Sequence, residues 1–247
     1  MSRSVKLTLD ILLGAVVPIL ILAYLSDYVG NVPAYLLSAL IPVAWVFADL
    51  FFITKRFNFI TGFLGLNAVV RGLLAFWFVD GVLYAFKDTI GTIITVLIFG
   101  GSVLIGRPVV RAFAEQSLDP RSPEQESALH RLFGERPVAR ALLTSTALLA
   151  VVNAATGVAN FVLNLNIVTA QFGTEAFNVQ VAQVNAITRL AIGIPEFLAW
   201  GLGLWLVFAA LYKTLYSRLP KGTEGEDHDF WDLVALRESK PQEQPST

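Results

Sequence analysis

The sequence predicts an all-α fold, a polytopic transmembrane helical bundle of about six helices with both termini in the cytoplasm. Three observations predict it. First, 55% of the 247 residues are hydrophobic and only 15% are charged, whereas a typical soluble domain is about 25% charged. Second, the apolar residues form long runs separated by short polar segments. Third, most of the basic residues lie in segments that the runs would place on the same side of a membrane. An ordinary soluble enzyme and a disordered chain are therefore excluded.

Six apolar runs are long enough to span a membrane. A spanning helix needs about 20 apolar residues to cross about 30 Å of hydrocarbon. The predicted spans cover residues 7–26, 34–54, 59–79, 89–106, 142–167 and 187–212. The first run is followed by Tyr24-Leu25-Ser26-Asp27 rather than by small residues. We therefore expect a retained helix there and not a cleaved signal peptide.

The lysines and arginines outside the spans predict the orientation. Only one basic residue, Lys87, lies in the three loops predicted on one side of the membrane, which are 27–33, 80–88 and 168–186. The basic residues of the opposite side are Arg3, Lys6, Lys55, Arg56, Arg107, Arg111, Arg121, Arg131, Arg136, Arg140, Lys213, Arg218 and Lys221. Cytoplasmic loops are enriched in such residues. Both termini are therefore expected in the cytoplasm, which requires an even number of crossings.

The chain is expected to divide into a transmembrane domain over 1–218, which includes a cytoplasmic loop at 107–141, and a polar tail over 219–247. The tail is rich in Glu, Pro and Gln, a composition typical of disorder. An apolar island at 230–236 interrupts it. The island favours two interpretations equally, a helix that docks on a partner or an idle stretch that touches the membrane.

The cytoplasmic loop contains two similar motifs, Arg-Pro-Val-Val-Arg-Ala at 107–112 and Arg-Pro-Val-Ala-Arg-Ala at 136–141. Proline suits the first turn of a helix, so each motif is expected to begin a short helix. Their arginines are Arg107, Arg111, Arg136 and Arg140. These arginines either anchor the loop in the cytoplasm or bind anionic lipid headgroups, at about 1 kcal/mol per basic residue.

Charged residues within the spans mark the candidate functional site, because an ionisable group at a helix centre costs about 2.5–3.5 kcal/mol on insertion scales. Arg71 lies in the third span and Glu196 in the sixth. At about 1.5 Å per residue, both are expected on the outer half, roughly 4–8 Å from the midplane. The matched depths favour an Arg71–Glu196 ion pair. Such a pair either holds two helices in register or forms a substrate or proton site.

Asparagines add a polar stripe to the same helices. Asn153, Asn160 and Asn164 are spaced by seven and four residues, so they share one face of a helix. Asn67 is four residues from Arg71. Two interpretations stay open for these asparagines. They form hydrogen bonds between helices, each of which contributes about 0.6 kcal/mol on average, or they line a hydrated path.

The sixth span carries a further feature. Pro195 precedes Glu196, and a proline that breaks a helix beside a carboxylate is also a feature of transporter sites. The polar stretch 171–186 before this span is expected to form either an external loop or a helix on the outer surface.

Catalytic and cofactor motifs are absent from the sequence. The chain has no cysteine, and it contains no Gly-rich phosphate loop, no His-Glu-x-x-His and no Gly-x-Ser-x-Gly. His130 and His228 both lie in polar segments, with no second histidine at ligand spacing. We therefore expect neither an enzyme nor a bound cofactor or metal, and no nucleic-acid partner.

The middle of the chain, over roughly 35–165, resembles the bacterial septation protein A family of small inner-membrane proteins. The likeness lies in the turn Lys55-Arg56, in a loop with Asp80 and Lys87-Asp88, and in the helix end Ile105-Gly106-Arg107-Pro108-Val109-Val110. This chain departs from that family in its six predicted helices rather than five, its longer central loop and its tail. The resemblance implies a role in envelope upkeep or division, with no catalytic residues to carry over.

Two main functional hypotheses follow. The leading one is a non-enzymatic protein of the bacterial inner membrane that organises the envelope through contacts with lipids and other membrane proteins. The alternative is a small-solute or proton-coupled transporter built around Arg71 and Glu196. An enzyme acting on lipid is a weaker third. Glycines at Gly100, Gly101 and Gly106 permit a homodimer without requiring one.

Overall fold

The computed structural model describes residues 3–55, 59–217, 219 and 229–239. Within these ranges the chain consists of helices and contains no β-strand, so the predicted all-α class is confirmed. The helices are α1 (Arg3–Ile11), α2 (Val17–Leu20), α3 (Ser26–Val29), α4 (Asn31–Ala48), α5 (Phe59–Ala75), α6 (Gly81–Leu104), α7 (Val110–Leu118), α8 (Pro123–Gly134), α9 (Arg136–Ile167), α10 (Glu175–Ala191), α11 (Gly193–Tyr216) and α12 (Phe230–Glu238).

Five helical stretches in the described ranges are long and apolar enough to cross a membrane. They are Thr8–Val29, Asn31–Ile53, Gly81–Leu104, Arg136–Ile167 and Glu175–Tyr216. α5 covers the third predicted span, but its apolar part is shorter than these five. The length and hydropathy of these helices indicate a multi-pass membrane protein.

The chain forms two compact units. Unit 1 comprises Met1–Ile98 and Ala150–Leu198, and unit 2 comprises Phe99–Leu149 and Ala199–Thr247. In unit 1, α4 packs along α5 and along the first helical segment, the stretch Thr8–Val29 that contains α2 and α3. The helix α10 packs against α2, α3 and α4. The core of this unit includes Leu22, Tyr35, Tyr84, Phe177 and Val184, all buried.

The first helical segment is not a uniform α-helix. Two π-helical stretches, Leu12–Val16 and Ile21–Leu25, separate α1, α2 and α3. Pro18 lies between them, and a proline has no N–H to donate to the carbonyl four residues earlier. That carbonyl belongs to Gly14. The carbonyl of Gly14 is therefore free of its ordinary helical partner and accepts a hydrogen bond from Arg189 instead, at 2.6 Å.

The fourth helix begins earlier than the sequence predicts. α6 begins at Gly81, so Lys87 and Asp88, which we expected in a loop, lie within its second turn. Lys87 is only 5% exposed. Farther along, α6 approaches α9 closely, because a Cβ placed on Gly157 would lie 2.9 Å from Cγ2 of Thr92. Glycine at 157 is what permits this close contact.

The predicted sixth span is interrupted, and two helices, α10 and α11, meet at Ile192. Pro195 explains the interruption, because it cannot donate to the carbonyl of Ala191. The amide of Glu196 donates to the Ile192 carbonyl at 3.1 Å. The polar stretch 171–186 is mostly α10, which begins with Thr174 accepting a hydrogen bond from the Phe177 amide.

In unit 2, the amphipathic helices α7 and α8 pack with α12. Buried side chains of this unit include Val110 of α7, Leu129 and Phe133 of α8, and Leu233 of α12. Both arginine-proline motifs lie at the start of a helix, as predicted, but the second begins the 32-residue α9 rather than a short helix.

The polar tail is not disordered throughout. α12 occupies the apolar island and begins with a capping box, in which the Asp229 side chain accepts from the Asp232 amide at 2.9 Å. The indole of Trp231 donates to the Leu118 carbonyl at 3.0 Å. Two ion pairs, Arg131–Glu238 and Arg237–Glu135, join α12 to the α8 segment. In the structure the island thus packs on its own chain. Apart from Leu219, the predicted tail outside 229–239 lies beyond the described residues.

Candidate functional site

Unit 1 contains a cavity of about 160 Å³, which we name the polar chamber. Its walls come from α2, α4, α5, α6 and α10. The charged and polar lining residues are Tyr35, Ser38, Arg71, Tyr84, Lys87, Asp88, Asn185 and Arg189. At a share of about 30 Å³ per water molecule, the chamber has room for about five waters or a small solute.

Asp88 is the carboxylate of the polar chamber, and two amides of α9 hold it. The Nδ2 groups of Asn160 and Asn164 donate to Oδ2 of Asp88 at 2.9 and 3.1 Å. Asn164 is fully buried and also donates to the Asn160 carbonyl at 2.9 Å. Of the three asparagines that share one face of α9, Asn160 and Asn164 therefore bind the same carboxylate. Amide donation stabilises the ionised form of a carboxylate.

Lys87 lies beside Asp88 and is enclosed by aromatic rings. Its Nζ donates to the Trp77 carbonyl, just beyond the end of α5, at 2.6 Å. The same nitrogen lies 4.9 Å from the centre of the Tyr35 ring and 5.5 Å from that of Tyr84. A cation at the carboxyl end of a helix and over aromatic faces is electrostatically favoured.

Arg71 lines the chamber from α5, opposite Gly91 of α6. A Cβ at Gly91 would lie 3.5 Å from Nε and Nη2 of Arg71 and 3.4 Å from Oδ1 of Asn67. These are ordinary van der Waals distances, so Arg71 and Asn67 lie directly against this position of α6. Asn67 itself donates to the Phe63 carbonyl at 3.1 Å. Within the described ranges, no carboxylate lies within salt-bridge distance of Arg71.

Arg189 completes the lining from α10. One arm donates to the Gly14 carbonyl. Arg189 interacts repulsively with Arg71 and attractively with Asp88. The side chains of Arg71 and Arg189 are exposed, whereas that of Lys87 is buried. The chamber is therefore accessible from outside the protein at its two arginines.

The charges of the polar chamber do not balance. Among the described residues of the lining, three cations, Arg71, Lys87 and Arg189, face one carboxylate, that of Asp88. Charged groups within membrane spans usually pair with one another or face a water-filled cavity. A formal excess of two positive charges therefore makes this chamber different from a closed ion-pair network.

Two prolines of the lining remove backbone donors from the helices that form the chamber wall. Pro18 and Pro42 lie inside helical segments and line the chamber. Because neither has an N–H, the carbonyls of Gly14 and Ser38 lose their ordinary helical donor. Freed backbone groups in a membrane helix are tolerated where they line a cavity or find another donor.

Glu196 and Asn153 lie away from the polar chamber. Glu196 accepts a hydrogen bond from the Thr156 hydroxyl, at 2.7 Å. In the described residues, the expected Arg71–Glu196 ion pair is not formed. Asn153 instead lies in the wall of an apolar groove around Gly157. Of the sequence-predicted site, the structure therefore brings together Arg71, Asn67, Asn160 and Asn164.

The four basic-loop arginines occupy different surroundings in unit 2. Arg107, Arg136 and Arg140 are exposed. Arg111 is partly buried, donates to Nδ1 of His130 and lies 5.4 Å from the Phe133 ring. Only the first three thus present free guanidinium groups to a headgroup or partner.

Sequence reasoning missed Lys87, Asp88 and Arg189 as site residues. A signal was present, because residues 84, 87, 88 and 91 have the i, i+3, i+4, i+7 spacing of one helix face. The charged pair Lys87-Asp88 was assigned to a loop, which concealed this face. Arg189 lies at the start of the predicted sixth span, 187–212, where the sequence alone gives it no partner.

Together the fold and the chamber define a class, a multi-pass helical membrane protein with a cationic cavity inside one unit. Comparison with protein-family models, with curated proteins and with solved structures finds no match for this chain. The septation protein A resemblance thus stays a prediction.

Proposed function

We propose that this chain is a multi-pass protein of the bacterial cytoplasmic membrane that binds and carries a small solute through the polar chamber. The observation that supports it is Arg71 lining a cavity with Lys87, Asp88 and Arg189 rather than pairing with Glu196. A structural ion pair needs no cavity. A carrier needs a site that is polar, large enough for a solute and accessible.

This proposal keeps Arg71 from the transport hypothesis and replaces Glu196 by Asp88 as the carboxylate. Discontinuous helices support it, because transporter sites are commonly built where helices are broken. Here Pro18 lies in the wall between two π-helical stretches, and the proline interruption at Ile192 follows Arg189 closely. No step of this proposal needs a cofactor or an enzymatic reaction.

Flux in proteoliposomes tests the proposal. The protein is reconstituted in phosphatidylcholine and offered radiolabelled inorganic phosphate, succinate, alanine, choline and xylose. We expect saturable uptake of at least one solute, reduced about tenfold or more by Arg71→Gln if a charge-assisted contact of about 1.5–3 kcal/mol is lost. Glu196→Gln is the matched control and should leave uptake unchanged. No uptake of any solute, or equal loss in both variants, would contradict the proposal.

A second candidate function is envelope organisation through lipid and protein contacts, with a role in upkeep or division. The observation that favours it is the set of exposed guanidinium groups of Arg107, Arg136 and Arg140, and the resemblance to the septation protein A family supports it. A homodimer through Gly100, Gly101 and Gly106 stays part of this candidate, since a Cβ at each would meet nothing within 4 Å.

Affinity purification in mild detergent tests this second candidate. We expect defined envelope or division proteins with the wild type and fewer with an Arg107→Gln/Arg136→Gln/Arg140→Gln variant. The Arg71→Gln variant is the control, because it changes the chamber alone. Recovery of the same set with all three proteins would refute the role of these arginines, and recovery of none would refute the candidate.

A further inference from the structure

We infer that the ligand of the polar chamber carries a compact oxyanion, a phosphate or carboxylate group, held by Arg71, Lys87 and Arg189. This inference rests on the proposed function, since it names the class of solute that the same site takes. It is drawn from the charges and hydrogen bonds of the chamber.

The first step is the supply of donors. A guanidinium has five N–H donors and an ammonium three. In the described residues, the only hydrogen-bond acceptors of these cations are Gly14 for Arg189 and the Trp77 carbonyl for Lys87, and Arg71 has none. Most of the donors of the chamber are therefore unused. Unused donors of this kind match the several lone pairs of a phosphate or carboxylate.

The second step is the state of Asp88. A cationic or zwitterionic ligand would need this carboxylate as its acceptor. Its Oδ2 already accepts from both Asn160 and Asn164, which fixes the carboxylate against α9. Asp88 thus holds the arrangement through Oδ2, and its single charge offsets only part of the positive charge of the three cations. The excess charge attracts an anion rather than a cation.

The third step is the size and shape of the chamber. A volume of about 160 Å³ accepts an oxyanion with a few carbon atoms, whereas a drug-sized ligand needs about 300–1,000 Å³. Because the two arginines are exposed and Lys87 is buried, a headgroup could also enter from the arginine side. The source of the oxyanion is therefore either a free solute or an anionic lipid.

Binding measurements on the purified full-length protein test the inference. Isothermal titration calorimetry in dodecyl maltoside uses inorganic phosphate and succinate, with choline chloride as the cationic probe. We expect anion binding that Arg71→Gln and Arg189→Gln each weaken about tenfold, a change of about 1.4 kcal/mol. Arg121→Gln removes an exposed arginine of unit 2 and should leave binding unchanged.

Asp88→Asn makes the test independent of folding damage. The amide is similar in size and removes the one negative charge, so we expect tighter anion binding. A misfolded variant would lose binding instead.

Native mass spectrometry then distinguishes the two sources of the oxyanion, a free solute and an anionic lipid. Phosphatidylglycerol that co-purifies, competes with phosphate and is lost in Arg71→Gln identifies a headgroup; its absence with retained phosphate or succinate binding identifies a free solute.

The contrary outcomes separate the inference from the proposed function. Preferential choline binding, abolished by Asp88→Asn, would overturn the oxyanion site and leave solute transport standing. Uptake of xylose or alanine without binding of phosphate, succinate or anionic lipid would do the same. Anion binding that both arginine variants leave intact would place the anion elsewhere and also overturn the inference. Absence of any uptake, with or without anion binding, would count against transport itself.

Discussion

At the scale of single residues, Asp88 shows how a carboxylate is stabilised within a membrane span. Two asparagine amides donate to one of its oxygens, and the cations Lys87 and Arg189 share its charge. Burial of an ionised group is tolerated only when such partners replace water. The asparagines of α9 are therefore more than contacts between two helices, because they fix the one carboxylate that the described residues place in the polar chamber.

Replacement of Asn164 tests this role. Asn164→Leu keeps the approximate volume and removes the amide that donates to Asp88, so this half-buried carboxylate loses a donor. We expect a loss of stability of about 1.5–3 kcal/mol, measured by thermal or denaturant unfolding in detergent. Asn166→Leu is the control on the same helix, because Asn166 is exposed and donates only to the Val162 carbonyl. Equal losses in the two variants would show that the Asp88 contact contributes little.

At the scale of helices, the small residues determine which elements approach each other. The contact of α6 with α9 is close because Gly157 faces Thr92. The unit 2 helices use a different device, an apolar face on α12 with ion pairs at its edge. Both arrangements follow from the sequence only when the helix faces are already known.

Gly157→Ala tests the first contact. The new methyl group would lie 2.9 Å from Cγ2 of Thr92, and overpacking of this kind costs about 1–3 kcal/mol. We expect that loss in detergent unfolding, and recovery of much of it in the Gly157→Ala/Thr92→Ala double variant. Gly201→Ala is the control, since a Cβ there would meet nothing within 4 Å. A stable Gly157→Ala variant would contradict the close approach.

Leu233→Asp tests the docking of α12. Leu233 is fully buried, and truncation of a buried leucine alone costs about 2–5 kcal/mol. We therefore expect α12 to detach, with faster trypsin cleavage at Arg237 and faster amide exchange over 230–238. Leu236→Asp changes a residue that is 39% exposed and should leave both rates near those of the wild type. Unchanged exchange in Leu233→Asp would show that α12 needs no such contact.

At the scale of the whole molecule, the arrangement of basic residues predicts which ends face the cytoplasm. The five membrane-length helices and the shorter α5 are compatible with six crossings. Because α5 is the shortest of them, the number of crossings depends on whether this helix spans. The orientation therefore stays a prediction from the basic residues, and it is open to a direct measurement.

Cysteine labelling provides that measurement, because the chain has no cysteine of its own. Gln171→Cys lies in the segment between α9 and α10, and Ser117→Cys lies in α7; both positions are exposed. A membrane-impermeant maleimide applied to intact spheroplasts should label Gln171→Cys, and should label Ser117→Cys only after lysis. Labelling of both from outside would contradict the predicted topology.

The sequence by itself determined the class of fold and most of the helices. Long apolar runs in lipid satisfy their backbone hydrogen bonds as helices, so 34–54 and 142–167 lie within helices of the structure. The same runs did not predict the residues at which the helices begin, since α6 begins at Gly81 and not at 89. Lys87 and Asp88 extend α6 because tertiary partners, the Trp77 carbonyl and the amides of Asn160 and Asn164, offset the cost of their charges.

Which charges meet was decided only by the tertiary structure. The sequence placed Arg71 and Glu196 at one depth, but depth does not fix the rotation of a helix. Rotation and register depend on packing contacts, such as that of Gly157 against Thr92, which the sequence alone does not give. As a result Arg71 faces Gly91 and the polar chamber, while Glu196 accepts from Thr156.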